Sequence, residues 1–297
     1  MYKSFFQLAR SPFELTPDPA FLFATRRHNE ALATLYYGVR EHKGFVVVTG
    51  EVGTGKTLML RCLLKQLEQR LNVSYAYIFN SLLTPTEFLQ YVLADLGRPA
   101  AGKNKAEMLF DLSNFLISRS EKGLTTALIV DEAHHLSAEL LEEIRLLTNL
   151  ETAEQKLLQV VLVGQPELDQ KLDSIELRQL KQRIALRASL NTLEEEETKG
   201  YIWRRLQIAG ANGDANRLFT EPAMGAVYRY SKGTPRLINS ICENALITAY
   251  ARQMRSITPE VIDDVANDLR LDVAQLPTAD KTNARRLMDL QRATRTM

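Results

Sequence analysis

A glycine-rich segment that ends in a lysine and a threonine carries the strongest chemical signal in the sequence. GEVGTGKT follows an apolar run and precedes a helix-like one, which is the setting of a phosphate-binding P-loop rather than of a chance glycine turn. Glycines let backbone N–H groups face phosphate oxygens, and the helix N-terminus adds its positive end. We expect Lys56 to reach the β- and γ-phosphates of ATP, and the Thr57 hydroxyl to ligate Mg²⁺. The predicted nucleotide-binding residues here are Gly50, Glu51, Val52, Gly53, Thr54, Gly55, Lys56, Thr57 and Leu58.

Two carboxylates, Asp131 and Glu132, follow another apolar run in ALIVDEAHHL. An acid at the carboxyl end of a parallel strand lies where ligands bind in open α/β folds. We predict that Asp131 holds Mg²⁺ through its water shell and that Glu132 is the base for an attacking water. Adjacent His134 and His135 should point apart on a helix, and no third ligand is spaced to join them. We therefore expect a surface or packing role for both histidines.

Two further polar residues follow apolar runs. Gln165, at the tip of VLVGQPEL, is predicted to orient the water or to sense hydrolysis, with an amide that merely satisfies a loop as the alternative. Asn80 could hold the catalytic acid in an inactive rotamer, although Asn is also an ordinary turn residue.

Three arginines complete the candidate site. In LRQLKQRIALR, Arg178 and Arg183 are predicted on a helix that leads into the last strand, away from the P-loop of the same chain. One guanidinium, Arg183 in preference to Arg178, could then reach the γ-phosphate of a neighbouring subunit, whereas solvated helix arginines are the alternative. In SKGTPRLIN, Arg236 opens a helix from which it could touch the nucleotide bound in its own subunit.

The elements that must position these residues alternate between strand-like and helix-like runs. Strands separated by helices predict an α/β fold with a parallel sheet covered on both faces, as in P-loop NTPases. After residue 191 the strands stop, and a smaller all-helical lid domain is expected to follow the αβα sandwich. The predicted strands are residues 45–49, 75–79, 127–130, 158–163 and a weaker run at 184–190.

The lid should begin at a capping box made by Thr192 and Glu195 and contain helices from Pro235 to Tyr250 and from Pro259 to about Leu271. The N-terminal segment is rich in aromatic residues and prolines, which predicts an extended arm pinned to the body by its aromatic side chains. The predicted division is an arm at 1–28, an ATPase core at 29–190, a lid at 191–271 and a polar, loosely ordered tail at 272–297.

Composition restricts the class of protein. With 37 basic and 36 acidic side chains and a net charge of +1, the chain lacks the bulk positive charge on which many nucleic-acid proteins depend. Cys62 and Cys242 are far apart and fit no metal-ligand spacing, which favours reduced thiols in a cytosolic protein. The longest apolar run, residues 157–163, is much shorter than a spanning helix needs, and the N-terminus lacks the apolar core of a signal peptide.

The chain resembles the ExeA-like (general secretion pathway protein A) AAA+ ATPases in GEVGTGKT, LIVDEAHHL, RLLTNLET, VLVGQPEL, LKQRI and KGTPRLIN, and in the upstream PFELTPDPAFLF and HNEAL. The resemblance runs from about residue 5 to residue 271 and extends to pilus-biogenesis ATPases of the MshM type through VTGEVGTGKTLMLRCLL. The resemblance implies the roles given above for Lys56, Thr57, Asp131 and Glu132. It further implies that Gln165 is the first sensor, Arg183 the arginine finger and Arg236 the second sensor.

This resemblance implies a cytoplasmic homo-oligomeric ATPase, recruited to the inner face of the inner membrane, that supports assembly of a type II secretion or type IV (MSHA-like) pilus machine. Longer family members continue into a transmembrane helix and a peptidoglycan-binding domain; this sequence ends before either, so we expect a separate membrane-anchored partner. Two alternatives stay open. One is an ATP-dependent DNA-binding switch like the TnsC-type transposition regulators, and the other is a scaffold that binds ATP but scarcely hydrolyses it.

Overall fold

The computed structural model describes residues 1–79, 83–211 and 218–271, so Asn80 and the predicted tail at 272–297 lie outside the described residues. The strands are β1 (Phe45–Gly50), β2 (Ser74–Ile78), β3 (Thr126–Val130), β4 (Leu158–Gly164) and β5 (Ile184–Leu190). The helices are α1 (Tyr2–Phe5), α2 (Arg26–Arg40), α3 (Lys56–Leu71), α4 (Pro85–Asp95), α5 (Lys105–Glu121), α6 (Ala138–Leu147), α7 (Glu167–Leu172), α8 (Arg178–Lys181), α9 (Glu195–Ile208), α10 (Glu221–Ser231), α11 (Pro235–Ala251) and α12 (Pro259–Asp268). Short 3₁₀ turns cover Pro19–Phe21 and Ala133–His135.

The five strands form one parallel sheet in the order β2-β3-β4-β1-β5. Every residue of β1, β3 and β4 is buried, as expected for strands covered by helices on both faces. At one edge of the sheet, β5 alternates between partly buried and exposed residues, which explains its weaker sequence signal. The structure confirms the predicted parallel αβα sandwich, and the P-loop, the Asp-Glu pair and Gln165 all follow the carboxyl ends of its strands.

Strand alternation divides the interior into two layers. Val46 and Val48 of β1 point into an apolar cluster that also holds side chains of α2 and α3. Phe45 and Val47 of the same strand point into a second cluster, on the other face, built largely from α4, α5 and α6. Because neighbouring residues of a strand face opposite sides, one short run anchors both helical layers to the strand that ends in the P-loop.

Helices α9 to α12 surround an apolar cluster of their own. The predicted capping box is wrong by two residues: α9 begins after Glu194, whose N–H donates to the Glu197 carboxylate at 3.0 Å. The cause is a tertiary contact. Leu193, the residue just before the cap, donates its N–H to the Gly233 carbonyl at 2.8 Å and is therefore held outside the helix. The proposed boundaries at 28, 190 and 271 remain an interpretation of the sequence.

The N-terminal arm is packed against these helices through its aromatic rings. Phe13 is fully buried and meets Phe219 edge-on, with ring centroids 5.9 Å apart, and Phe23 meets Tyr201 in the same way at 5.8 Å. The arm is less extended than predicted, because it begins with α1 and contains a 3₁₀ turn. None of the helices in the described part of the chain is both long and apolar enough to cross a bilayer.

Helix α2 begins at Arg26, inside the segment predicted as arm. Thr25 caps it, since its hydroxyl accepts the His28 N–H at 3.3 Å. The same hydroxyl lies 2.8 Å from Nδ1 of His28, and Nε2 of that ring lies 3.3 Å from the Thr54 carbonyl of the P-loop. A carbonyl can only accept, so Nε2 carries the proton and the Thr25 hydroxyl donates to Nδ1. The start of α2 is thereby tied to the P-loop.

Candidate nucleotide-binding site

The loop between β1 and α3 has the backbone shape that phosphate binding requires. Gly53 and Gly55 adopt left-handed conformations, with φ of 80° and 98°, which a residue with a side chain adopts only under strain. Lys56, the first residue of α3, turns its ammonium back toward the loop and donates to the carbonyls of Gly50 at 2.7 Å and Glu51 at 3.0 Å. The glycine cradle, the helix N-terminus and the buried ammonium together fit a polyphosphate.

Asp131, at the carboxyl end of β3, is held by three donors. The hydroxyls of Thr57 and Tyr77 donate to its Oδ2 at 3.2 and 3.0 Å, and the Glu132 N–H donates to its Oδ1 at 2.9 Å. Burial, followed by the charge of Asp131, raises the pKa of Tyr77, so its phenol remains a donor at neutral pH. Burial lowers the pKa of Lys56, while the charges of Glu132 and Asp131 oppose that shift.

The oxygens of Thr57 and Asp131 are of the kind that Mg²⁺ prefers. Across residues 1–79, 83–211 and 218–271, no group of three or more His, Cys, Asp or Glu side chains is arranged to hold a metal by itself. A Mg²⁺ ion at this pair would therefore draw further oxygens from water and from phosphate, which is its usual mode of binding in phosphoryl-transfer sites.

Glu132 and Gln165 approach each other through His134. Oε2 of Glu132 is buried with no hydrogen-bond partner among the described residues and lies 3.5 Å from Nδ1 of His134. The Gln165 N–H donates to that Nδ1 at 3.3 Å, and its side-chain amide lies 2.9 Å from Nε2. Burial, followed by the neighbouring His135, lowers the pKa of His134, which keeps the ring neutral. The Gln165 atom that faces Nε2 is the amide nitrogen, and the tautomer of His134 decides which of the two ring nitrogens accepts from Gln165.

The expectation that His134 and His135 point apart is wrong. Their ring centroids are 3.9 Å apart, with the planes inclined by 41°. Contacts with Gln165 turn His134 inward, so that its side chain is nearly buried, and the ring of His135 lies over it. A contact between β4 and the turn after β3 decides this arrangement, and helical geometry alone could not predict it.

A cavity of about 330 Å³ brings most of the predicted residues together. Those that line it are Val52, Gly53, Gly55, Lys56, Thr57, Leu58, Glu132, Gln165 and Arg236. Four further predicted residues lie behind this lining: Asp131, Gly50 and Glu51 through the contacts already described, and Thr54 through its hydroxyl, which donates to the Glu51 carbonyl at 2.8 Å. The remaining lining residues, none of them predicted from the sequence, are Leu15, Thr16, Pro17, Tyr201, Arg205, Pro235 and Asn239.

The helical part of the chain touches the P-loop directly at the start of α11. The Arg236 N–H donates to the Gly53 carbonyl at 3.2 Å. A Cβ atom added to Gly53 would come within 2.8 Å of Cβ of Arg236, so glycine is required by close approach as well as by its φ angle. Arg236 therefore lines the cavity next to Gly53.

Arg178 and Arg183 lie elsewhere, in a separate open cavity of about 460 Å³ that Arg145 also lines. The prediction that both arginines are helical is wrong for Arg183, because α8 ends at Lys181 and Arg183 directly precedes β5. Its guanidinium donates to the Thr148 hydroxyl at 3.2 Å, which fixes it beside the end of α6.

Comparison with known proteins identifies a family model and relatives that this chain matches. An AAA-domain family model matches residues 39–172. General secretion pathway protein A of Aeromonas hydrophila is 46% identical over 258 residues, which cover 86% of this chain but only 46% of that protein. Residues 39–172 of this chain therefore match an AAA domain. The predicted resemblance to ExeA-like proteins is confirmed, although this chain spans about half the length of that relative.

Two further proteins are similar to this chain. The ATP-dependent target DNA activator B of Escherichia phage Mu is 27% identical over 78% of this chain and 68% of that protein. The ORC2 protein of Aeropyrum pernix, solved in ADPNP-ADP complexes, superposes with a TM-score of 0.66, covering 87% of this chain and 71% of that one at 17% identity. The last similarity shows the fold alone.

The site residues that were not predicted from the sequence have few local signals. Tyr75 and Tyr77 are two positions apart in β2, so the sequence predicts that they share a face of the sheet, but it does not predict the contact of Tyr77 with Asp131. Leu15, Thr16 and Pro17 belong to the arm, where proline predicted irregular chain and nothing more. Tyr201 and Arg205 are one helical turn apart on α9, and that spacing is the only sequence feature that could have linked them.

Proposed function

We propose that this AAA+ ATPase binds ATP·Mg²⁺ in the 330 Å³ cavity and hydrolyses the γ-phosphate. The observation that carries the proposal is the convergence of Lys56, Thr57 and Glu132 on one cavity with Asp131 behind them. Lys56 would bind the β- and γ-phosphates, and Thr57 with Asp131 would hold Mg²⁺, which neutralises phosphate charge when bound. Glu132 is the proposed base, because one of its carboxylate oxygens has no other partner.

Gln165 and Arg236 are proposed to respond to the state of the nucleotide. The amide nitrogen of Gln165 lies 2.9 Å from Nε2 of His134, and this contact holds the Gln165 amide at the wall of the cavity, where it can meet a phosphate or the attacking water. Arg236 adjoins the P-loop through its own backbone, so a change at Gly53 is passed to the start of α11. Hydrolysis would thereby alter how the helical part lies on the sheet.

We further propose that the active form is a homo-oligomer in which Arg183, in preference to Arg178, enters the site of a neighbouring subunit. Both arginines lie outside the nucleotide cavity of their own chain, and Arg183 is held in place by Thr148.

The proposed biological role is support of assembly of a type II secretion or type IV (MSHA-like) pilus machine, in the manner suggested for MshM-type ATPases. The 46% identity to General secretion pathway protein A supports the secretion assignment. In this proposal the ATPase works in the cytoplasm and a membrane-anchored partner recruits it to the inner membrane.

The second candidate is an ATP-dependent DNA switch. It is favoured by the similarity to the phage target DNA activators, which covers about two thirds of their length. Arg26, Arg27 and Arg187 also line an open cavity of about 450 Å³ between α2 and β5, which contains none of the predicted nucleotide-binding residues. Arg26 is paired there with Glu30 and Arg187 with Asp169, so a phosphate backbone that contacted these arginines would compete with the carboxylates, and binding would weaken steeply with salt.

The test is the ATPase rate per subunit against protein concentration, with and without duplex DNA, for the wild type, Arg183→Ala, Arg178→Ala and Glu132→Gln. We expect the wild-type rate to climb with concentration and to fall about 10³- to 10⁵-fold in Arg183→Ala, as for loss of an arginine finger. Arg178→Ala is the matched control and should retain most of the rate. Strong stimulation by DNA would favour the second candidate, and equal, slow rates for the wild type and Glu132→Gln would favour a scaffold that only binds ATP.

A further inference from the structure

The carboxylate of Asp131 has most of its acceptor capacity in use. Its Oδ2 accepts from the hydroxyls of Thr57 and Tyr77, and its Oδ1 accepts the Glu132 N–H. A carboxylate offers about four acceptor sites, two on each oxygen. Both sites on Oδ2 are therefore taken, and among the described residues one site, on Oδ1, has no donor. Asp131 is also only 5% exposed, so the orientation of its carboxylate depends on these donors rather than on bulk water.

The two hydroxyls on Oδ2 differ in what else they can reach. Thr57 lines the nucleotide cavity, and its hydroxyl can donate to Asp131 while its lone pairs bind a metal ion. Tyr77 does not line that cavity. An ionised carboxylate can only accept, so the phenol of Tyr77 is the donor in their contact. Tyr77 can therefore affect a ligand in the cavity through Asp131, and not by touching it.

Tyr77 is anchored firmly enough to fix the orientation of its acceptor. It lies in β2 opposite Ile129 of β3, and its N–H donates to Oδ2 of Asp95 at 2.6 Å. The Asp131 N–H donates across the same two strands to the Ile78 carbonyl at 2.8 Å. The partly buried ring of Tyr77 packs against the apolar cluster that holds side chains of α2 and α3. Donor and acceptor are thus both fixed to the sheet, as a precise constraint on a site residue requires.

We propose that Tyr77 is a positioning residue for the Mg²⁺ site: its phenol holds the Asp131 carboxylate in one orientation and leaves Oδ1 to accept from a water on the metal. The inference rests on the proposed ATP·Mg²⁺ site and adds a residue outside the cavity that sets the affinity of that site for the metal. Without the phenol, Oδ2 regains an acceptor site and the carboxylate can turn about its Cβ–Cγ bond. Loss of a hydrogen bond that orients a metal-binding group typically changes metal affinity about 10- to 100-fold.

The test compares Tyr77→Phe with Tyr75→Phe by calorimetric titration of ATP, once with Mg²⁺ and once with EDTA in its place. Tyr75 is the matched control, because it lies two residues away on the same strand and its hydroxyl also donates to a carboxylate, Oε1 of Glu68 on α3, at 2.6 Å. We expect Tyr77→Phe to weaken binding of Mg²⁺·ATP about 10-fold and binding of ATP in EDTA less than about twofold. The Mg²⁺ concentration for half-maximal hydrolysis should rise by a similar factor. Tyr75→Phe should behave as the wild type in every measurement.

Both variants keep the ring and lose one hydroxyl, so urea-induced unfolding should show that both are folded. Unchanged Mg²⁺·ATP affinity in Tyr77→Phe would overturn the proposal. An equal loss with Mg²⁺ and with EDTA would also overturn it, because that pattern indicates a structural role. Tighter Mg²⁺·ATP binding would do the same, since the phenol would then compete with the metal. If the wild type itself bound ATP equally well with and without Mg²⁺, or not at all, the proposed ATP·Mg²⁺ site would be wrong and this inference would fall with it.

Discussion

Replacement of Phe13 by alanine tests whether the N-terminal arm is a structural part of the helical cluster. The side chain is 0% exposed and its ring packs edge-on against Phe219 at 5.9 Å. Truncating a buried phenylalanine costs about 3–5 kcal/mol, through lost transfer free energy and the cavity that remains. Each kcal/mol lowers the Tm of a domain of 150–250 residues by about 2–4 °C, so we expect a fall of about 6–20 °C.

The assay is thermal and urea-induced unfolding of the wild type, Phe13→Ala and Phe110→Ala. Phe110 is 67% exposed, so the control should stay within about 0.5 kcal/mol of the wild type. ATP affinity, measured on the same samples, should fall in Phe13→Ala because Leu15 and Pro17 of the arm line the cavity. If Phe13→Ala lowered the free energy of unfolding by less than about 1 kcal/mol, the reasoning would be refuted, because removing a ring from the core of the cluster should destabilise it by more than that.

Two further substitutions test the loop and its support. Gly53→Ala should lose ATP binding, because its Cβ would lie 2.8 Å from Cβ of Arg236. Gly97→Ala is the control. Gly97 has a φ of 72°, and a Cβ added there meets no described atom within 4 Å, so this variant should show only the backbone strain of about 1–2 kcal/mol. Calorimetry and unfolding separate the two effects, and equal ATP affinity in both variants would contradict the contact. Burial lowers the pKa of His28, so the unfolded chain binds more protons and stability should fall as the pH drops below about 6.5. Unfolding of His28→Asn in urea between pH 7 and 5 should show a shallower fall, and parallel curves would disprove that His28 contributes.

Prediction succeeded where the determining forces are local. The apolar runs of β1, β3 and β4 are recognisable because strands buried on both faces must be apolar throughout. It failed where a distant contact overrides a local preference: Glu194 replaces Thr192 at the start of α9 because Gly233 binds the intervening Leu193. Arg183 likewise leaves the predicted helix, and its guanidinium bonds to the Thr148 hydroxyl.

The sequence by itself determined the αβα sandwich and the composition of the P-loop, because glycine conformations, strand burial and helix starts depend on neighbours in the chain. Only the tertiary structure decided that Tyr77 donates to Asp131, that His134 joins Glu132 to Gln165, and that the arm and Arg205 complete the cavity. Tyr77 and Asp131 are separated by 54 positions, and Arg205 and Pro12 by 193. Such contacts arise from the packing of whole layers, and no periodicity along the chain encodes them.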